Sequence, residues 1–331
     1  MNRFILIAIS VLSALFICTS CTKDEEDTES PYVEGLSIGT FPIIDGSTST
    51  LPLNRVIACE LMGLGYEWQE KTDGTSKAWS IEPRIGKSLR RKFDNAVRSS
   101  QTHNSLIDLI DGKVDIVLSA RTMSPDEKSH AEEKGVTLIE TSIALDAFIF
   151  IVNPQNPITT LTTEDIQKIY TGEITTWDEL GVKDIYPGYD GPFPIRPYIR
   201  NPNSGSQELM DLLVMKGLEY YTQLPMYEEA LIWGMAGLLD RIANNGAAIG
   251  YTVYYYNERI IRPRKMLKTI GVDGVYPDRQ TISDRSYPYA SEVYAVIRSD
   301  TDKSSMTYKI YEWLQTETGK QIISKSGYIP D

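Results

Sequence analysis

The sequence predicts an α/β fold with enough chain for two domains. Three observations lead there. From residue 36 onward, short apolar runs alternate with stretches of helical apolar spacing. Two of the runs, Val114–Leu118 and Ala147–Val152, show almost no polar alternation, as strands covered on both faces do. The 331 residues, 41% hydrophobic and 24% charged, exceed one typical domain and can bury a large core.

Taken in order, Ile38–Ile44 is expected as the first strand. Leu53, Val56, Ile57, Leu61 and Leu64 recur at helical spacing, so Pro52–Leu64 is expected as a helix. Residues 65–93 are polar, contain Gly74, Pro83 and Gly86, and are expected as a variable excursion. Asn104–Asp111 reads as a short helix stopped at Gly112, and Ser124–Lys134, with His130, as a helix with a solvated face. Ala147–Val152 and Glu292–Ile297 are expected as hinge or crossover strands. Between them lie helices at Glu164–Tyr170 and Ser206–Met215 and a turn plus strand at Gly246–Tyr251. Met306–Ser324 is expected as one long amphipathic helix ahead of Gly327.

The N-terminus is built for export. Arg3 precedes a 14-residue apolar stretch, Phe4–Ile17, broken only by Ser10 and Ser13. That length suits a signal-peptide core and falls short of the roughly 20 residues a spanning helix needs. Thr19 and Ser20 then precede Cys21, in the manner of a lipobox whose cysteine is acylated and becomes the new N-terminus; Cys18 stands where the pattern usually has leucine. Residues 1–20 are therefore expected as a signal peptide and 21–35 as an acidic, solvated tether. Of three cysteines only Cys59 is left, in a helical apolar pattern, so it is expected as a buried thiol outside any disulfide. One thiol and two histidines are poor raw material for a metal site. The net charge of −12 argues against nucleic acid. It does not argue against a small anion, which backbone N–H groups and hydroxyls at helix starts can hold.

Three places share such a design, a hydroxyl- or Gly-rich turn feeding a helix. They are Asp45-Gly46-Ser47-Thr48-Ser49-Thr50-Leu51-Pro52, Ser100-Gln101-Thr102-His103-Asn104-Ser105 and Arg200-Asn201-Pro202-Asn203-Ser204-Gly205-Ser206. Pro52 fits a first helical turn because it has no N–H to lose, and Ser49 or Thr50 would cap. Arg200 adds a guanidinium whose planar fork suits an oxyanion. Any one of the three reads equally as a helix cap and nothing more.

Their order carries further. DGSTSTLPL, GKVDIVLSARTMS, AFIFIVNPQNPITTLTTEDIQKIYTGEITTWDELG, RNPNSGSQELM, GAAIGY and GKQIISKSGYIP together resemble the phosphate-binding proteins of bacterial phosphate ABC transporters, from about residue 38 to the C-terminus. The resemblance implies a two-lobed type II periplasmic-binding-protein fold, each lobe a mixed, mainly parallel sheet flanked by helices. Lobe I would be 36–146 plus 252–331 and lobe II 147–251. It implies inorganic phosphate or a similar oxyanion as ligand and an ABC permease of the inner membrane as partner. It implies attachment to the membrane through lipidated Cys21, a monomer, and no cofactor. Carried over residue by residue, the first loop would supply Thr50 and the N–H of Leu51, with Ser49 nearby, and the second the hydroxyl of Thr102. The third would supply Arg200, Ser204, the N–H of Gly205 and Ser206, with Ser119 and Arg121 at the cleft rim. The chain departs from the family in two places. The second loop is Gln-Thr-His-Asn where relatives are rich in Gly and Ser, and Ala120 stands where some relatives have an aspartate that accepts a phosphate proton. Phosphate and sulfate thus both stay open, and His103 reads either as within reach of the ligand or as a hydrogen-bonded loop residue.

Other readings are weighed on the same residues. Trp177 and the Tyr251, Tyr254, Tyr255, Tyr256 cluster, in a chain of 20 tyrosines, are expected as lobe packing, with an aromatic platform for a planar ligand as the other reading. A hydrolase lacks its usual signs: no Walker loop or metal cluster is present in the sequence. A surface scavenger or sensor that hands its ligand to no permease is the remaining alternative.

Overall fold

The computed structural model describes residues 36–331 apart from 74–75, 184, 186–187, 189–190, 223–230, 233–234 and 262–266. The signal peptide, Cys21 and the acidic tether lie outside the described residues. Among the described residues no helix is long and apolar enough to cross a membrane.

The apolar runs build a mixed sheet. Its first strand is shorter and later than expected, β1 at Ile44–Gly46. The residues before it turn instead, because Thr40 bonds back to Ser37 through both backbone and side chain. Leu51–Leu61 form α1, with Pro52 in the first turn and Leu53, Val56, Ile57 and Leu61 buried on one face. Cys59 is fully buried there, and burial pushes its thiol up to about 12. It should stay unlabelled by an aromatic disulfide reagent at pH 8 until the protein unfolds; fast labelling of the native protein would contradict this packing.

The polar excursion is ordered structure. Tyr66–Asp73 (β2) and Ser76–Pro83 (β3) pair as an antiparallel hairpin, and Lys87–Ala96 form helix α2. Buried Arg55 of α1 holds both, bonding Glu82 Oε1 at 2.9 Å and Asp94 Oδ1 at 3.0 Å. Thr102–Ile110 (α3) lead into β4, Ile116–Ser119, and Pro125–Lys134 form α4.

One long strand organises the rest. β5 runs from Leu138 to Val152. Its first part, Leu138–Ala147, pairs antiparallel with β12 (Ala290–Arg298), which in turn pairs antiparallel with β4, and β4 lies parallel to β1. Its second part pairs with β10 (Ala248–Val253) on one side and β11 (Lys268–Val272) on the other. Beyond those lie the parallel partners β7 (Arg196–Pro197) and β6 (Thr160–Leu161). β5 therefore belongs to both halves of the sheet, which is the two-lobed α/β design expected. β11 lies across the expected 251/252 lobe boundary, on the half formed by residues 148–152. Two short strands, β8 (Ile199–Arg200) and β9 (Leu231–Ile232), pair parallel apart from the main sheet.

Helices cover both faces. Leu106, Leu109, Ile110 and Ala131 of α3 and α4 pack with Val117, Leu138 and Val296 in one cluster. The larger core holds α1 and α5 (Thr163–Thr171), together with the buried residues of Gly205–Leu209 (α6), which continues as a π-turn through Met215. The helices α7 (Met235–Ala243) and α8 (Arg279–Ser283) follow. The expected C-terminal helix is two, α9 (Met306–Trp313) and α10 (Glu317–Ser326), because the Thr316 side chain accepts the Gly319 N–H at 3.2 Å and starts a new helix. A last short strand, β13 (Ile329–Pro330), returns to β5.

Trp177, Tyr251 and Tyr255 serve as packing groups, while Tyr254 and Tyr255 also line a separate cavity with Tyr328. Trp177 is fully buried with Nε1 donating to Ala247 O at 2.9 Å. Tyr251 sits within 5.1 Å of Phe148 and 6.2 Å of Phe150, ring centre to ring centre, and Tyr255 stacks on Tyr328 at 3.6 Å.

Candidate functional site

The three turn-to-helix segments meet around one cavity of about 30 Å³. Ser47, Thr48 and Ser49 line it from the first segment, Gln101 and Thr102 from the second, and Arg200, Ser204, Gly205 and Ser206 from the third, with Ala120 and Val253 completing the wall. By a measure in which a single water needs roughly 10–15 Å³, this is room for a small polyatomic ion and too little for a sugar or an amino acid.

The first segment is held by the end of β4. Ser47 N donates to Leu118 O at 3.1 Å, and Ser47 Oγ accepts the Ala120 N–H at 2.9 Å. Gly46 allows this approach, since a Cβ there would lie 2.3 Å from Leu118 O. Thr50 is turned away from the cavity. Its hydroxyl lies 2.8 Å from Leu118 O and 3.0 Å from Ser47 O, so its proton serves the backbone. Thr50 and Leu51 are not among the lining residues; Ser47 and Thr48, which precede them, are. Beneath the loop, fully buried Asp45 ties the first segment to the second. Oδ1 accepts from the N–H of Gly46 and of Ser100, each at 2.7 Å, and Oδ2 accepts from Arg98 Nε at 2.7 Å and Ser100 Oγ at 2.9 Å. A carboxylate at the end of an apolar strand, directly before Gly-Ser, was the available signal for this residue.

Thr102 is the first residue of α3 and is buried, with Oγ1 2.8 Å from Ser47 Oγ. First-turn N–H groups of α1 and α3 have no partner within their helices and carry the positive end of the helix dipole. The third segment comes in against Thr102 so closely that a Cβ on Gly205 would lie 2.4 Å from Thr102 Oγ1.

Arg200 is 4% exposed at the end of β8. Its N–H is held by Gln207 Oε1 at 2.9 Å and Tyr251 Oη at 3.0 Å, and its guanidinium bonds Ser206 Oγ at 3.3 Å and Asn201 Oδ1 at 3.4 Å. Burial pulls the guanidinium below its ordinary value, against the opposing influence of Tyr251 and Tyr256. Gln207 is itself fixed by Asp211 and Tyr220, at 2.9 and 2.8 Å. Ser204 caps α6 by accepting from Gln207 N at 3.2 Å.

Ser119, Arg121 and His103, expected at or near the ligand, do not line the cavity. Ser119 Oγ donates to Arg121 O at 2.5 Å. The Arg121 guanidinium is committed to Glu127 through two 2.8 Å bonds, and His103 Nδ1 lies 2.9 Å from the same carboxylate. His103, Asp126 and Glu127 bring ligand atoms within 4.8 Å of one another, but both Glu127 oxygens already serve Arg121, so the cluster is an ion-pair network. Asn203 of the third segment joins this network: its Nδ2 donates to Asp126 Oδ2 at 2.8 Å and its carbonyl accepts from Arg121 at 3.4 Å.

The lining is thus rich in hydroxyls, with one buried guanidinium and no carboxylate among the described residues. Comparison with known proteins agrees with this architecture. The chain is 27% identical over 216 residues to the phosphate-binding protein PstS of Borreliella burgdorferi, covering 65% of this chain and 71% of that one. It is 24% identical over 234 residues to the phosphate-binding protein PstS of Staphylococcus saprophyticus, covering 69% of each. Among solved structures, a Clostridium perfringens protein with bound phosphate superposes with a TM-score of 0.59 at 21% identity, over 88% of this chain and 99% of that one; at that identity the likeness speaks for the fold. The family model for the PBP superfamily domain matches residues 90–316, a span that takes in the second and third segments and both halves of the sheet. By sequence and by fold, the chain belongs to the PBP superfamily.

Proposed function

We propose that this chain is an extracytoplasmic solute-binding protein that holds inorganic phosphate, or a closely similar oxyanion, in the three-segment cavity and presents it to an ABC permease. The observation that carries the reading is the convergence of the buried Arg200 guanidinium with the hydroxyls of Ser47, Thr102, Ser204 and Ser206 and the first turn of α3 around a space of ionic size. Hydrogen bonds to a charged acceptor contribute roughly 1.5–3 kcal/mol each. Several of them can outweigh an association cost of roughly 4–15 kcal/mol and leave micromolar binding, about −8 kcal/mol. The names of the relatives point to the same ligand.

In this reading the lobes close on the anion by bending where β5 passes from β12 to β10, at Asp146–Ala147. Asp146 Oδ1 accepts the N–H of both Ala147 and Tyr255, tying two crossing segments together there. Closure brings Gly205 against Thr102 and Asn203 against Asp126. The lining of hydroxyls and one guanidinium suits holding an anion. Cys21 would carry the lipid and the 21–35 segment would tether the protein at the cell envelope as a monomer.

The transport role is tested by phosphate uptake in cells lacking the chain. Uptake should fall and return with the wild-type protein, but not with Arg200→Ala. Normal uptake without the chain, in the face of intact phosphate binding, would favour a scavenger or sensor.

A further inference from the structure

Gln101 stands apart from the rest of the lining. Its backbone has φ 75° and ψ 164°, a region that essentially only glycine occupies without strain. The sequence nevertheless keeps a long side chain there. That side chain does not cap α3, and its amide hydrogen-bonds to no described residue. The residue lines the cavity and is exposed. No packing or capping gain thus accounts for the strain, which leaves a role toward whatever enters the cavity.

The chemistry of the lining indicates what role. Near neutral pH a phosphate keeps at least one O–H, and inside a closed cavity that donor needs an acceptor. Arg200 has none to offer. Ser47 Oγ already accepts from Ala120 N and pairs with Thr102 Oγ1. Ala120 and Val253 present apolar side chains, and no carboxylate lines the cavity among the described residues. The Gln101 carbonyl has two lone pairs and no partner among the described residues.

Resting on the functional reading above, we propose that Gln101 is the specificity-determining residue of this site, its side-chain carbonyl accepting the proton of the bound phosphate. A neutral amide does this without repelling a fully ionised anion, as a carboxylate would. Discrimination against sulfate is then modest, about three- to tenfold, as one neutral hydrogen bond allows.

The test is calorimetric titration of wild type, Gln101→Gly and Gln101→Glu with phosphate and with sulfate at pH 7.5, alongside ligand-free melting curves. Gln101→Gly should melt no lower than wild type, since it removes the strained side chain. It should bind phosphate about three- to tenfold more weakly and sulfate as before. Gln101→Glu should keep phosphate and lose sulfate, because the new carboxylate accepts a proton and repels an anion that has none. Gln101→Gly binding phosphate as tightly as wild type, or losing both anions equally, overturns the proposal. Wild-type protein that binds neither anion overturns the functional reading itself and this proposal with it.

Discussion

Replacing Arg200 with alanine should lower phosphate affinity by about 10²–10⁴-fold, the loss of two hydrogen bonds to a charged acceptor at roughly 1.5–3 kcal/mol each. Arg200 is 4% exposed, so solvent does not compete for its guanidinium in the wild type. The fold should survive, because Gln207 and Tyr251 hold the Arg200 backbone N–H and leave the side chain free of that duty. Circular dichroism of the variant should match wild type while equilibrium dialysis detects no phosphate at concentrations that saturate wild type. Arg200→Lys keeps the charge but not the planar fork, and should fall between the two. Unchanged affinity in Arg200→Ala would remove this residue from the site.

Gly205→Ala should weaken phosphate binding by about 10–100-fold while leaving the ligand-free protein nearly as stable as wild type. The added Cβ would lie 2.4 Å from Thr102 Oγ1, and that hydroxyl is fixed at 2.8 Å from Ser47 Oγ. Gly205 opens α6 with a backbone that alanine adopts freely, so the substitution isolates the contact between the third segment and α3. If closure depends on that contact, the methyl group holds the segments apart only in the closed form. Small-angle scattering should then show the wild type contracting when phosphate is added and the variant not contracting. A variant that contracts and binds like wild type would mean that Thr102 and Gly205 do not meet on closure.

Much of this was legible before the structure, and the limits have physical causes. The starts of α1 and α3 and the Arg200 segment could be read because local chemistry governs them: Pro52 in a first turn, hydroxyls before an apolar run. The second half of β5 could be read because residues 147–152 are buried on both faces and carry no polar alternation. The β2–β3 hairpin was missed because Tyr66 and Trp68 alternate with Glu67, Gln69 and Glu70, and a half-exposed strand of that kind resembles a polar loop. The break at Thr316 was hidden inside one continuous amphipathic pattern, where a single cap decides the matter.

Within the site, the three segments were legible and the atoms were not. Thr50 turns to Leu118 O, a partner 68 positions away, and so yields the lining to Ser47 and Thr48. Arg121 is spent on Glu127 of the following helix, which no spacing rule distinguishes from a ligand-binding arginine. Asp45 joins two of the segments through contacts with Ser100 and Arg98 that its place before Gly-Ser only hints at, and the backbone strain of Gln101 is invisible in a sequence.

The measurement that bears most directly on the account is calorimetric titration with inorganic phosphate of the protein lacking residues 1–21, freed of ligand by unfolding and refolding. The expected result is a single site of micromolar or tighter affinity, accompanied by a melting midpoint that rises with phosphate concentration. No heat of binding and an unmoved melting midpoint at millimolar phosphate, from protein shown to be folded, would contradict it.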